Sequence, residues 1–227
     1  MERNVRITTR NTPLNLPFTP DQFFSVFQQY NESVWPAQVL LNILAVVAIV
    51  LAVKSSAAAG RIIASILGAF WLWIGFAYHL AFFTSINPGA YAFALLNIVQ
   101  GILFLLYGVL LKRLTFRFRA DIYGLTGAFF ILYALVIYPL IGSLAGHSFP
   151  RNPTFGLPCP TTIFTFGLLL WTEKELPLAL IPLPLLWSLI GFSAALTLGV
   201  YEDIGLLIAG IIGSALLVLR ARKARKP

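Results

Sequence analysis

Seven long apolar stretches divide this chain, and they constrain its fold more than any other feature. A helix needs about 20 apolar residues to cross the hydrocarbon core of a bilayer. Most of the stretches approach that length, and only 11% of the 227 residues are charged, against about 25% in a soluble domain. Backbone polar groups in lipid must pair within the protein, which favours helices. The sequence therefore predicts an all-α fold, a polytopic transmembrane helical bundle of about seven spans.

The predicted spans are separated by short loops. They cover residues 36–53, 61–83, 88–111, 122–146, 160–172, 178–200 and 204–219. The fifth has about 13 residues and covers only about 20 Å at 1.5 Å per residue, so its length alone leaves open whether it crosses fully or is re-entrant. We divide the chain into an N-terminal arm (1–35), a seven-span bundle (36–219) and a basic tail (220–227).

The N-terminal arm contains a second helical pattern. Thr19 and Pro20 are typical cap and first-turn residues. The aromatic residues that follow at helical spacing are Phe23, Phe24, Phe27 and Tyr30. This pattern predicts a short amphipathic helix lying on the outer interface, with Trp35 at headgroup level.

The distribution of Lys and Arg predicts the orientation. In a seven-span topology, twelve of the sixteen basic residues fall on the side of the C-terminus. Short cytoplasmic loops carry such an excess, so we expect a cytoplasmic C-terminus and an outer N-terminus in a bacterial inner membrane. A re-entrant fifth span would give six against ten, a weaker asymmetry, and we therefore prefer seven crossings.

One outer loop differs from the apolar runs around it. The stretch HSFPRNPTFGLPCPTTIF holds four prolines, His147 and Cys159, which is the only cysteine. Because the fifth span is short, the chain before it should dip into the membrane, where irregular backbone is tolerated only inside protein or beside a wet cavity. Thr161 and Thr162 are placed to cap the helix that begins there. Its first N–H groups would suit an anion or a carbonyl oxygen.

Other polar residues are expected at the same level. His79 lies near the outer end of the second span, on a face with Gly68 and Gly75. Small residues recur at steps of three or four along the sixth span and lead to an acid pair. We therefore predict one outward-facing pocket. Its candidate lining residues are His79, Asn87, His147, Cys159, Thr161, Thr162, Glu202 and Asp203.

Each of these residues also has a purely structural interpretation. A polar residue in a membrane is often satisfied by a neighbouring helix, which would explain His79. A cysteine between two prolines is more often a small buried residue than a nucleophile or a ligand. Glu202 and Asp203 can simply end one span and begin the next, and His147 can be solvated in its loop.

The sequence lacks the motifs of several large classes. It has no Walker A motif, no G-x-G-x-x-G, no H-E-x-x-H and no C-x-x-C. A metal site would need His79, His147, Cys159 and the acids together, and nothing in their spacing requires one, so metal and cofactor stay open. The net charge of +8 is scattered among loops, and we expect no nucleic-acid partner.

The expected partners are the lipid bilayer and other membrane helices. Gly142 and Gly146 form a G-x-x-x-G pair on the fourth span, a pattern that brings helix backbones close together. It makes a homodimer or a complex with another membrane protein possible.

Four stretches together resemble a known family: LPFTPDQFFSVFQQYNESVWPAQ, WLWIGFAYHLAFFTSINP, PTFGLPCPTTIFTFGLLL and LLWSLIGFSAALTLGVYEDIGLL. The chain resembles a bacterial family of multi-spanning membrane proteins catalogued only as a domain of unknown function. The segments PTFGLPCPTT and GVYED are the most specific. The resemblance brings no activity, substrate or cofactor with it.

Three functions fit these features. The first is a small-solute or ion permease, because discontinuous helices build substrate sites in transporters. The second, slightly behind, is a non-catalytic membrane subunit or assembly factor of a larger complex. The third, well behind, is an intramembrane enzyme using Cys159 or the histidine and acid cluster.

Overall fold

The computed structural model describes residues 16–56, 58–173 and 176–224, and within them the protein is a bundle of eight helices. The helices are α1 (Pro20–Ser33), α2 (Ala37–Lys54), α3 (Ala59–Ser85), α4 (Ala90–Leu110), α5 (Ile122–Leu144), α6 (Pro158–Leu170), α7 (Leu178–Leu198) and α8 (Tyr201–Lys223). The first fifteen residues, and with them Arg3, Arg6 and Arg10 of the predicted arm, lie outside the described part, as do Lys174 and the end of the basic tail.

The predicted fold class is confirmed. Six of these helices, all except α1 and α6, are long and apolar enough to cross a membrane. They match six of the seven predicted spans, because unbroken apolar runs leave the backbone no alternative to internal hydrogen bonding in lipid. The fifth predicted span is α6, which has 13 residues and falls short of a full crossing by length.

Helix α6 is the central helix of the bundle. Twelve of its thirteen residues are buried, and it packs against α3, α5, α7 and α8. Glycines permit the closest approach: the Gly127 and Gly167 backbones meet where α5 crosses α6. A helix that is apolar all round and surrounded by others needs no lipid-facing stripe, which explains the absence of amphipathic patterning in its sequence.

Helix α1 covers one end of the bundle. Thr19 and Gln22 form a capping box at its start. Its buried face meets the bundle, and Nε1 of Trp73 donates a hydrogen bond of 2.7 Å to the Tyr30 hydroxyl. Burial raises the pKa of Tyr30 to about 12, so the phenol is neutral in this contact. The amphipathic pattern of the arm therefore packs an apolar face against the helical bundle.

The loop between α5 and α6 adds to this cover. Nδ2 of Asn31 donates to the carbonyls of Pro150 (2.6 Å) and Asn152 (2.9 Å), and its Oδ1 accepts from Thr154 at 2.7 Å. We call this side of the molecule the α1 end.

The segment 112–121 covers the other end. The Arg117 N–H donates to the Trp171 carbonyl (2.7 Å), and Phe116 forms an isolated bridge with Thr172, just past α6. The alternating sequence LTFRFRAD, residues 114–121, is therefore extended but does not form part of a sheet. We call the segment 112–121 the plug. Helix α6 begins beneath α1 and ends on this plug, so it links both ends of the bundle.

Most of the described basic residues gather at the end opposite α1, and Arg151, which pairs with Asp21 of α1, is the exception. Lys54 ends α2, Arg61 lies in the first turn of α3, and Arg220 of α8 donates to the Leu170 carbonyl at 3.1 Å and to the Thr172 hydroxyl. We call this side the basic end. Helix α1 and the last described residues therefore lie at opposite ends of the bundle.

Candidate functional site: an aromatic pocket beneath α1

A cavity of about 130 Å³ lies beneath α1, at the α1 end of the bundle. One water needs only about 10–15 Å³ measured in this way, so the cavity can hold a small organic molecule or several waters. Its walls come mainly from α1, α3, α4, α5, α7 and the first turns of α6 and α8. We call it the aromatic pocket.

Aromatic rings supply a large part of its wall. They include Phe23, Phe27, Tyr78, Phe83, Phe93 and Trp187. Many of them meet edge to face: the Phe93 and Trp187 ring centroids are 5.4 Å apart at 81°. This arrangement places both ring faces and ring edges around the space, and ring faces carry the negative side of the aromatic quadrupole.

His79 lies fully buried among these rings. It belongs to a π-helical turn, Ile74–Leu80, and such turns often occur at functional sites. Its ring lies 5.1 Å from Trp187 and 5.7 Å from Phe93, centroid to centroid. Neither ring nitrogen has a hydrogen-bond partner in the protein, so the imidazole keeps one unused donor and one unused acceptor at the pocket wall.

Asp203 supplies a carboxylate to the pocket wall. It follows Glu202 in the short 3₁₀ turn that begins α8 and is 1% exposed. The Tyr138 hydroxyl donates to its Oδ1 at 2.7 Å, and the Cys159 thiol is its other close neighbour. A carboxylate has about four acceptor sites, so Asp203 retains the capacity to accept from an occupant.

Glu202 faces away from the pocket. Its Oε1 lies 3.3 Å from Nδ1 of His147, and its Oε2 is buried without a partner. Gly142 permits this approach, because a Cβ at that position would lie 2.8 Å from Glu202 Oε1. Gly142 of the G-x-x-x-G pair is therefore used for packing within the chain, and Gly146, with a φ of +90°, follows the end of α5.

The structure brings half of the predicted site residues into one cavity. His79, Asn87, Cys159 and Asp203 line the aromatic pocket, whereas the other four do not. His147 and Glu202 pair beside it. The predicted capping role of the threonines is wrong, because α6 begins at Pro158 after Leu157 and has no side-chain cap.

The two threonines lie inside α6 instead. Thr161 Oγ1 accepts from the Gly156 N–H at 3.3 Å, and Thr162 Oγ1 is buried without a partner. The loop before α6 thus folds back onto the helix, and this backbone packing occupies the space in front of its first turn.

Several pocket residues carried no individual signal in the sequence. Tyr138 and Trp187 lie inside apolar spans, where aromatic side chains ordinarily face lipid or packing partners. Pro139, one residue after Tyr138, could have indicated a local irregularity, since proline removes a backbone donor. A π-helical turn, Tyr133–Ile137, ends immediately before Tyr138.

The candidate residues for covalent or metal chemistry are not clustered within the described part of the chain. Across the described residues, no group of three or more His, Cys, Asp or Glu side chains could hold a metal ion. Cys159 lies next to Asp203 and Trp187. Within the described residues, neither His79 nor His147 forms a hydrogen bond with the Cys159 thiol. What the pocket offers an occupant is ring faces, a carboxylate and an unpartnered imidazole.

Comparison with known proteins identifies a family without adding a function. No curated protein and no solved structure matches this chain significantly. A family model, described as a family of unknown function, matches residues 20–226 and so covers all eight helices almost completely. The chain belongs to this family, DUF6064.

Proposed function

We propose that this membrane protein is a small-solute permease whose outer binding site is the aromatic pocket. The observation that carries the proposal is His79, which is fully buried against the cavity with both ring nitrogens unpartnered. Leaving a buried polar group unsatisfied costs about 1–3 kcal/mol. A protein that only packs against partners gains nothing from that cost, whereas a binding site recovers it when a solute arrives.

The covering elements fit a gated site. Helix α1 and residues 147–157 lie over the pocket and are held by discrete polar contacts, among them the Arg151–Asp21 ion pair of 2.6 Å. Both partners of this pair are exposed, and such pairs contribute only about 0–1 kcal/mol. Because this pair joins α1 to the loop, it adds little resistance to a separation of the two covering elements from each other.

The charge distribution supports an orientation for this permease. Basic residues of α2, α3, α8 and the 112–121 plug gather at the basic end, which we propose faces the cytoplasm. The α1 end, with the pocket, then faces outward. The membrane is a bacterial inner membrane in this proposal.

Flux into proteoliposomes tests the permease directly. Purified protein would be reconstituted, and the uptake of labelled small amines, alcohols and carboxylates compared with that of empty vesicles. We expect at least one probe to enter faster with protein present. Uptake equal to that of empty vesicles for every probe would overturn the proposal.

A pair of tryptophan variants ties the flux to the pocket. Ala194 lines the pocket, so Ala194→Trp should fill it and abolish uptake. Leu125→Trp is the matched control, because Leu125 is 59% exposed on the outer surface of α5, and we expect normal uptake. Undiminished uptake by Ala194→Trp would separate transport from this cavity.

A further inference from the structure

We infer that the aromatic pocket takes a small organic monocation, an ammonium group with a compact apolar body, in preference to a neutral or anionic solute. This inference rests on the proposed function in using the same pocket, but it concerns binding and can be tested without transport.

The first step is the charge of the wall. Asp203 lines the pocket, and among the described residues that do so none is Lys or Arg. Its neighbours Tyr138 and Cys159 are uncharged hydrogen-bonding groups. An occupant with one positive charge would therefore face the Asp203 carboxylate, and no Lys or Arg in the described wall would repel it.

The second step is the charge balance around the turn that begins α8. Two adjacent carboxylates, Glu202 and Asp203, are buried there, with exposed fractions of 0% and 1%. His147 Nδ1 lies 3.3 Å from Glu202 Oε1, so this histidine pairs with Glu202 and not with Asp203. Buried charges are stable only when they are paired. Asp203 therefore lacks a cationic partner in the described protein, and a cationic occupant supplies one.

The third step is the ring cage. A cation within about 6 Å of an aromatic ring centroid is attracted to its face, and cages of such rings recognise quaternary ammonium groups. Phe93 and Trp187 meet nearly perpendicularly beside His79, and Phe23 and Phe27 of α1 also line the pocket.

The fourth step concerns the ligand's polar substituent. His79 offers an unpartnered donor and an unpartnered acceptor within the same wall. A quaternary ammonium group has no N–H to give, so a hydroxyl on its side arm would use the imidazole while the charge faces Asp203. Choline combines these groups and is a suitable probe.

Choline also has a matched neutral probe. In 3,3-dimethylbutan-1-ol a carbon replaces the nitrogen, so the two molecules share shape and hydroxyl and differ in charge. Binding of each would be measured by equilibrium dialysis against purified full-length protein in lipid nanodiscs. We expect choline to bind at least about tenfold more tightly, the sum of a cation–π and a charge-pair contribution.

Variants locate the preference. Asp203→Asn should weaken choline binding by about tenfold or more and leave binding of the neutral isostere nearly unchanged. Asp121→Asn is the control, because Asp121 lies beside α5 at the basic end, and it should change neither. Phe93→Leu serves if Asp203→Asn fails to fold: it keeps the wall apolar and should selectively weaken choline.

The outcomes separate this inference from the permease. Equal affinity for choline and its isostere, or no binding of choline, would overturn the inference even if other solutes are transported. Choline binding that depends on Asp203 in a protein without any flux would support the inference and overturn the permease instead.

Discussion

The Tyr138 hydroxyl and the Asp203 carboxylate are joined by a hydrogen bond of 2.7 Å that links α5 to the first turn of α8. Both residues are almost fully buried and both line the aromatic pocket. The bond therefore fixes the position of the one carboxylate in the pocket wall. Tyr133 makes a parallel contact one π-helical turn earlier, donating to the Glu202 carbonyl at 2.9 Å.

Removing the Tyr138 hydroxyl should lower stability. Hydrogen bonds to charged groups contribute about 1.5–3 kcal/mol, and we expect Tyr138→Phe to reduce the free energy of unfolding by about that amount. Thermal unfolding in detergent would measure it. Tyr91→Phe is the control, because Tyr91 is 65% exposed and should leave the midpoint unchanged. Equal midpoints for the two variants would show that the bond contributes nothing.

Asn31 should be the main anchor of the loop that covers the pocket. Its side chain makes three hydrogen bonds, to Pro150, Asn152 and Thr154, and Asn31→Ala would leave buried partners unpaired. We expect a loss of about 2–4 kcal/mol, seen as a lower unfolding midpoint.

Arg151→Ala is the comparison for Asn31. Its ion pair with Asp21 is exposed, so the loss should stay within about 1 kcal/mol. A larger effect of Arg151→Ala than of Asn31→Ala would contradict the assignment of Asn31 as the anchor.

Cys159 should report the charge preference of the pocket. It is the only cysteine in the chain and lines the cavity beside Asp203. A small cationic methanethiosulfonate reagent should modify it faster than an anionic one in the folded protein, because the carboxylate and the ring faces attract cations. Mass spectrometry over time would give both rates.

Two comparisons control for reagent chemistry at Cys159. In denatured protein the ratio of the two rates should fall to that of a free thiol, and Asp203→Asn should reduce the ratio in folded protein. A faster anionic reagent in the folded state would contradict the assigned charge of the pocket.

Asp121, at the basic end of the bundle, should stabilise α5 because it is the N-cap of this helix. The Gly124 N–H donates to Asp121 Oδ1 at 2.8 Å, and this bond, with help from Arg119, holds the pKa of Asp121 below its ordinary value. Asp121→Ala should cost about 1 kcal/mol, whereas Asp121→Asn keeps an N-cap, loses only the carboxylate charge and should cost less.

The pH dependence of the Asp121 contribution has a definite sign. Because the folded-state pKa is lowered, the ionised carboxylate contributes fully above its ordinary pKa of 3.8, and the contribution is lost as the pH falls through the folded-state value. Unfolding midpoints of wild type and Asp121→Asn, measured from pH 7 down to pH 3, should therefore converge. A difference that grows towards low pH would contradict this sign.

The apolar spans were predictable because each is specified locally. Whether 37–54 is a membrane helix depends on its own composition, and the predicted and observed bounds there differ by one residue at each end. The capping of α6 was not predictable in the same way. Thr161 and Thr162 are good N-cap types, yet Pro158 starts the helix earlier and the threonines fall inside it.

The candidate site was predictable only in part, for a related reason. His79 and Asp203 are conspicuous in apolar surroundings, and the structure places both at one cavity. Glu202 is equally conspicuous, but one step along a 3₁₀ turn rotates a side chain by about 120°, which directs it to His147. Neighbouring residues in sequence therefore face different surroundings.

The sequence by itself determined the helical class, the number of apolar segments and the separation of the basic residues from the α1 end, since these follow from local hydropathy and charge. Only the tertiary structure decided that α6 is the buried centre, that α1 covers a pocket, and that Tyr138, Cys159, Trp187 and His79 meet there around Asp203. These contacts join residues far apart in the chain, and close packing rather than composition selects them.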